Sequence, residues 1–480
     1  MKPERAQLED VLASLANVSL RYADIRYTET QQQHVKVRNG EVDHLSSTVD
    51  RAAGVRVLVG NGWGFAATSD TSDASIRKAA KRALEVAAAS NIASTQQVTL
   101  SDVEPHVASV HSKYEIDPWS VPIDRKLEHL MQATEPMRGD ARIHQVSGEI
   151  SCYRQEKIFA SSVGSFIEQS TTQMGGGIEA VAIADGEFQR RTYPNPFGGD
   201  YQAEGWEFIE RLDMPRKALQ IRDEALALLT APKAPAGRFD LIVGSAQLAL
   251  QVHESCGHPT ELDRAMGLEI SLAGGSFLQP SMLGHFRYGS DLVNLVADAT
   301  IPGSIGSFAF DDDGVPAQRF HLVEKGMFVG YLSGRDTAPF IGRSSNGTVR
   351  AESAARIPII RRTNITLEPG DTPLEEIIAS TKRGIMVETN KSWSIDDLRL
   401  NFQFGCEVAW EIENGRVGRM LRNPLYTGNT PNFWRSCDAI GDRNSWQIWG
   451  LPNCGKGDPM QTMRVAHGAP AARFRDVEMA

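Results

Sequence analysis

Residues 253–258 read His-Glu-Ser-Cys-Gly-His, two imidazoles five positions apart with a carboxylate beside the first. No other stretch of the chain restricts its own conformation so tightly. In a regular helix, side chains at i and i+4 lie about 40° apart round the axis, whereas those at i and i+5 lie about 140° apart. The two histidines face one point only if the helix widens or ends between them. A π-bulge widens it by one residue, and such bulges concentrate at functional sites. Gly257 is expected to make the distortion cheap through its backbone freedom. Pro259 is expected to stop the helix.

The residue types point to metal chemistry. Two imidazoles can hold a zinc ion, and a carboxylate between them can take a proton from water whose pKa the metal lowers to about 7. A structural zinc site has four protein ligands and no use for Glu254; a catalytic one has three and an open position. Spacing does not choose the third ligand. Candidates are Cys256, Cys406, Cys437, Cys454, His285, His467, Glu261 and Asp263. Cys454 lies in LPNCGKG, which reads as a tight turn with an accessible thiol. Glu261 and Asp263 are also placed to orient imidazoles as hydrogen-bond acceptors. Upstream, FDLIV (239–243) reads as a strand and AQLALQVHESCGH as a helix, with Ser245 as its N-cap.

Composition narrows the function classes. Lys+Arg 50 against Asp+Glu 60 gives a net charge of −10, which excludes bulk affinity for nucleic acid or anionic membrane. No apolar run approaches the 18–20 or so residues of a membrane helix. Glu4, Glu9 and Asp10 leave no place for a secretory h-region, so a cytoplasmic protein is expected. Five widely spaced cysteines, an odd number, do not make a disulfide framework.

The chain reads as α+β. Residues 1–230 form a mixed α/β region with a curved antiparallel sheet and packed helices, in two sub-parts of about 1–95 and 115–230. Strands YADIRYT, QHVKVR, EVDHLSS, AAGVRVLVG and WGFAATS come first, with hairpin turns at Asn39-Gly40 and Gly60-Asn61-Gly62. Helices are expected over 73–90, 122–138 and 206–230, the last interrupted near Pro215, with a polar connector over 91–120. The segment 231–238, with two prolines and a glycine, reads as a linker. Residues 239–480 form a β-rich metal domain with further turns at Lys325-Gly326 and Asn414-Gly415. No repeat of 20–50 residues is visible.

Several segments together carry a family likeness. They are VRNGEVDHLSSTVDRAAGVRVLVGNGWGFAATS, HESCGHPTELDR followed by AGGSFL, DDDGVPAQRFHLVEKGMFVGYLSGR, RAESAARIPIIRRTNITLEPGD and LPNCGKGDPMQTMRVAHGAP. In this order, over nearly the whole chain, they resemble the TldD/PmbA metallopeptidases, and within them the TldD-like branch that carries HExxxH. The resemblance implies an N-terminal α/β region before a β-rich metal domain. It implies one zinc per active subunit, held by His253, His258 and Cys454, with Glu254 as the catalytic carboxylate. It also implies a dimer, with itself or with a PmbA/TldE-like subunit, that cuts unfolded or extended peptides with little sequence preference. The alternative is a non-catalytic peptide-binding or regulatory subunit with structural zinc.

Other features have plainer readings. Asp311-Asp312-Asp313-Gly314 could bind a cation, but an acidic turn is more often solvated. Arg350, Arg356, Arg361 and Arg362 could hold a peptide carboxylate or form a solvated face. Trp434, Trp446 and Trp449 read as core or interface packing.

Overall fold

Asn-Gly and Gly-Asn turns between long alternating segments build the N-terminal part as hairpins. The computed structural model describes residues 2–16, 19–269 and 274–480. Helix α1 (Arg5–Ser14) precedes β1 (Leu20–Arg38), β2 (Glu41–Val59), β3 (Gly62–Thr68) and α2 (Asp73–Ala93). Asn39 and Gly40 take φ of 52° and 84°, as a two-residue hairpin turn requires. Helix α2 lies so close on β3 that a Cβ on Gly64 would meet the Ala83 carbonyl at 2.1 Å.

After β4 (Val107–His111) the pattern returns: α3 (Ile123–Thr134), β5 (Ile143–Ser161), β6 (Phe166–Ala184), β7 (Glu187–Tyr193), a short β8 (Asp200–Gln202), α4 (Trp206–Leu212) and α5 (Met214–Thr230). Two strands of 19 residues and one of 7 occur in each half. The halves join where β1 pairs antiparallel with β5, in the sheet order β3-β2-β1-β5-β6-β4, with β7 and β8 also on β6. The first long strand of each half begins at Leu20 and at Ile143, a spacing far outside the roughly 20–50-residue range of solenoid repeats.

Three readings of this region change. EVDHLSS and AAGVRVLVG are one strand, β2. YADIRYT and QHVKVR are one strand, because both ladder partners of β1 continue through Thr28–Gln33. The polar TETQQQ is no break: Thr30 and Gln32 line a polar cavity, and Gln33 accepts from the buried Lys126. The 91–120 connector also contains β4, which pairs parallel with β6.

The C-terminal half contains β9 (Gly237–Val243), α6 (Ser245–Val252), α7 (Leu262–Ala265), β10 (Leu295–Asp298), β11 (Arg319–Glu324), β12 (Met327–Phe328), β13 (Val349–Arg350), β14 (Ile359–Ile360) and β15 (Asn364–Leu367). Then come α8 (Leu374–Ala379), β16 (Arg383–Ile395), β17 (Asn401–Glu413), β18 (Arg416–Leu421), β19 (Leu425–Asn429) and α9 (Thr430–Arg435). The last strands are β20 (Cys437–Ile440), β21 (Gln447–Lys456), β22 (Gln461–Ala469) and β23 (Ala472–Met479).

One sheet, β16-β9-β23-β19-β17, closes on itself through a β16–β17 pairing. The other runs β12-β11-β10-β15-β22-β21. Helix α6 is buried along Ala246–Val252 and packs against strands of both sheets. Leu248, Val252, Leu295, Ile365, Phe402 and Phe474 belong to one core around it. Each such fully buried Leu or Phe side chain contributes about 1.5–3 kcal/mol. Among the described residues, no helix is long and apolar enough to cross a membrane.

The acidic turn at 311–313 is not solvated. It is buried where the halves meet. Asp312 accepts from Lys157 Nζ and from Ala351 N, both at 2.7 Å, and Asp313 accepts from Arg56 Nη2 at 2.6 Å. Asp311 accepts three backbone N–H groups, those of Asp313, Val315 and Val349. The acidic run therefore staples the two halves together.

Candidate metal centre

The motif helix is fixed at its start by packing, not by a cap. Gly244 occupies the N-cap position expected for Ser245. The Ser245 hydroxyl instead donates to the Ala469 carbonyl at 2.6 Å and accepts from Trp449 Nε1 at 2.9 Å. A helix apolar on nearly every side is stable only when enclosed, and α6 is enclosed.

At His253 the helix widens. Residues His253–Gly257 form a π-helical turn, and His258 N donates to the His253 carbonyl at 3.2 Å. This extra residue brings the two imidazoles onto one side, with ring centroids 5.0 Å apart. Gly257 does not provide the backbone freedom expected of it, for it is not among the residues with positive φ. It provides space: a Cβ there would lie 2.6 Å from Arg362 Cδ.

Cys454 completes the group. Donor atoms of His253, His258 and Cys454 all lie within 4.8 Å of one another, and all three residues are buried. The expected accessible turn is instead strand β21, with Cys454 only 4% exposed. The β21–β22 register shifts between Leu451 and Cys454, an irregularity of the kind that re-aims a side chain.

The surrounding contacts set the donor chemistry. His253 Nδ1 lies 2.6 Å from His467 Nε2, and His258 Nδ1 lies 3.4 Å from Glu261 Oε2. Both Nδ1 atoms are thus engaged, leaving each Nε2 available. Burial, reinforced by the Arg362 guanidinium, holds both imidazoles well below their ordinary pKa. They are neutral, the form a metal needs. Burial likewise pushes His467 down to about 3. Arg361 Nη2 lies 3.0 Å from Cys454 Sγ, and Arg362 Nη2 also contacts that sulfur. Burial raises the Glu254 carboxyl, while Arg399, with Nη1 3.3 Å from Glu254 Oε2, works against the rise.

Glu261 also accepts from Arg264 Nε at 2.6 Å and lies 3.4 Å from Lys456 Nζ. Burial alone would raise Glu261, but Lys456 and Arg264 outweigh it and hold the carboxyl well below its usual range. Asp263 does not orient an imidazole. It accepts twice from Lys456, at 2.7 and 2.8 Å, tying the Cys454 strand to the motif segment. Cys256, Cys406 and Cys437 belong to the apolar core, where burial raises their thiols. His285 is exposed.

Arg361 and Arg362 are fully buried, not a solvated face. Sequence reasoning passed over their contact with Cys454, and over Arg399 and Lys456. One signal was present: in IPIIRRTNITL the two arginines follow an apolar stretch inside a strand-like run. Two neutral imidazole nitrogens and one sulfur, buried together, match the donor types of a three-ligand zinc site.

Residues 236–480 match the model of the PmbA/TldA metallopeptidase C-terminal domain, 23–87 that of domain 1 and 116–229 that of the central domain. The chain belongs to the TldD/PmbA family. A metalloprotease of Methanocaldococcus jannaschii is 30% identical over 419 residues, covering 87% of this chain and 89% of the relative. A TldD-homologue metalloprotease of Haemophilus influenzae is 26% identical, covering 98% and 95%. A relative from Saccharolobus solfataricus named a zinc metalloprotease TldD homologue is 21% identical, covering 95% and 96%. Among solved structures, TldE of Thermococcus kodakarensis shares the fold with a TM-score of 0.73 at 18% identity, covering 99% and 100%. A Thermotoga maritima protein described as a modulator of DNA gyrase gives 0.76 at 17% identity, covering 99% of each chain. The TldD/PmbA fold of this chain is thus mixed α+β with a β-rich C-terminal half.

Proposed function

We propose that this TldD/PmbA chain is a zinc-dependent peptidase acting on unfolded or extended peptides with low sequence preference. The observation that carries the reading is the convergence of His253, His258 and Cys454 beside the Glu254 carboxylate. Residues 239–480 form the catalytic part and 1–230 the frame; of the segment 231–238 between them, Gly237 and Arg238 already belong to β9. Zinc bound by the three side chains supplies Lewis acidity, polarising a carbonyl and making water acidic.

The chain's own residues do the rest. Glu254 takes a proton from the attacking water and passes it to the leaving amine. Arg399 holds Glu254 by Oε2. His467 and Glu261 hold the two Nδ1 atoms, so that each imidazole presents Nε2. Arg361 and Arg362 hold the Cys454 sulfur through their Nη2 atoms. An extended peptide pairing with a strand edge by main-chain hydrogen bonds accounts for weak sequence preference. The chain works as a dimer, with itself or with a TldE-like subunit; the TldE fold likeness supports such a partner.

The test compares the purified chain with Glu254→Gln. Digestion of an unfolded polypeptide is followed by mass spectrometry, and zinc content is measured for both. Cleavage lost in the variant at unchanged zinc is expected. Equal cleavage by both would remove Glu254 from the chemistry.

A further inference from the structure

A cavity of about 710 Å³ lies between the long-strand sheet and the C-terminal half. Its sheet wall is the polar middle of β1, β5 and β6, and its other wall includes residues 350–356 and the β21–β22 hairpin. Met463, on that hairpin, lines the cavity and is the cross-strand partner of Cys454. The space therefore adjoins the strand that carries the candidate ligand.

Gln155, Gln169 and Gln173 of this cavity have hydrogen-bond partners within the chain. Gln155 Nε2 donates to Thr30 Oγ1 and to the Glu352 carbonyl. Gln169 Oε1 accepts from Ala309 N and Phe310 N, and its amide nitrogen donates to the Phe310 carbonyl. Gln173 Nε2 donates to the Ile305 carbonyl, and Gln173 Oε1 accepts from Arg464.

The cations are not satisfied in this way. Arg350 donates to the carbonyls of Arg362 and Arg464 and lies 5.1 Å over the Phe308 ring. Arg464 lies over Tyr153 and Tyr201, and its Nη2 is buried without a hydrogen-bond partner. Arg356 is half-buried at the same cavity. Among the described residues, no carboxylate lies in ion-pair range of any of these three guanidinium groups, whereas Lys157 at the same wall has Asp312. Asp50 and Glu352 also line the cavity, but neither is in ion-pair range of these groups, and Glu352 Oε2 accepts from Thr462 N. Asp312, the acid that acts on Arg350 from behind the wall, is paired with Lys157. Three guanidinium groups thus face one space without a paired carboxylate, which suits it to an anion from outside.

We propose that this cavity is a carboxylate subsite of the peptidase, taking an acidic side chain or the free C-terminal carboxylate of an extended peptide. Guanidinium is the cation suited to it, because its planar fork bonds a carboxylate through two parallel N–H groups. The inference rests on the peptidase reading for its substrate but not for its test.

The full-length Glu254→Gln chain, loaded with zinc, is titrated with labelled extended peptides followed by fluorescence anisotropy. One peptide carries glutamates, its counterpart carries glutamines at the same positions, and each is made with a free and an amidated C-terminus. Charge-assisted hydrogen bonds of this kind predict binding about tenfold or more tighter for the peptides that offer the carboxylate. In Arg356→Gln and in Arg464→Gln the preference falls to about twofold or less, with affinity for the neutral amidated peptide unchanged. A preference lost on amidation assigns the subsite to the C-terminus; one that persists assigns it to side chains. Equal binding of all four peptides overturns the proposal, as does a preference that survives both substitutions or an absence of binding. Because binding is read without turnover, failure of the parent chain to cleave would sink the peptidase reading and leave this result standing.

Discussion

Gly257→Ala separates two explanations of the glycine in the motif, because they predict opposite signs. Gly257 lies in a helical turn outside the left-handed region. On backbone grounds alone, alanine would stabilise that turn by about 1 kcal/mol. The packing says otherwise. The new methyl carbon would sit 2.6 Å from Arg362 Cδ, where carbon atoms prefer about 3.5–4.0 Å. Arg362 must retreat by roughly 1 Å, which costs about 1–3 kcal/mol of overpacking. Loss of its contact with Cys454 removes a charge-assisted bond of about 1.5–3 kcal/mol. The net is a destabilisation of about 2–4 kcal/mol. At about 1 °C per kcal/mol for a chain of this length, the thermal midpoint falls by roughly 2–4 °C, read by calorimetry on the apo chain. The control is the same substitution in an Arg362→Ala background. With the Cδ atom gone, Gly257→Ala should become neutral or stabilising by about 1 kcal/mol. A raised midpoint in the single variant, or no coupling between the two positions, would refute the account of Gly257 as a passage for Arg362.

Burial pushes Asp200 up to about 6 from its ordinary 3.8. A carboxyl raised on folding adds stability below its unfolded pKa and loses it as pH rises through about 6, so the ionised group costs about 3 kcal/mol at pH 8. Asp200→Asn should therefore be more stable than the parent at pH 8 by up to that amount, the gain vanishing by about pH 4; urea unfolding across this range measures it, and a pH-independent difference would contradict it. His467→Phe removes the partner of His253 Nδ1 and should weaken zinc binding about 10–100-fold, read by competition with a chromogenic chelator; unchanged affinity would remove His467 from the site. Stripping metal with EDTA should abolish peptide cleavage and zinc re-addition should restore it; cleavage that persists in the stripped chain would end the zinc mechanism.

What was legible in the residues was local. Hairpin turns at Asn39-Gly40, Lys325-Gly326 and Asn414-Gly415 are set by adjacent residues, and all six take positive φ. The spacing of His253 and His258 allowed two shapes, a widened helix or one ending between them, and the structure has the first. What was not legible depends on partners far away in the chain. TETQQQ reads as a break until β2 and β5 are seen to carry the ladder through it. Asp311–Asp313 read as a solvated turn because their partners Arg56 and Lys157 lie in the other half. Residue types allowed Cys454 and His467 equally as metal ligands. Only the fold separates them, placing one thiol beside both imidazoles and the third imidazole behind the first.

The closed sheet has a consequence for the order in which the molecule matures. Strand β23 sits between β9 and β19 and also pairs with β20. The enclosure of the motif helix therefore depends on residues 472–479 meeting a strand that begins at Gly237. Contacts of such long separation form slowly, after local hairpins and helices. A chain folded only as far as β20 would hold the two imidazoles without Cys454, since Cys454 and His467 arrive on the hairpin that follows. On the proposed reading, hydrolytic competence then cannot precede completion of the fold, and a half-made copy would be unable to cut its neighbours or itself while its own segments are still extended.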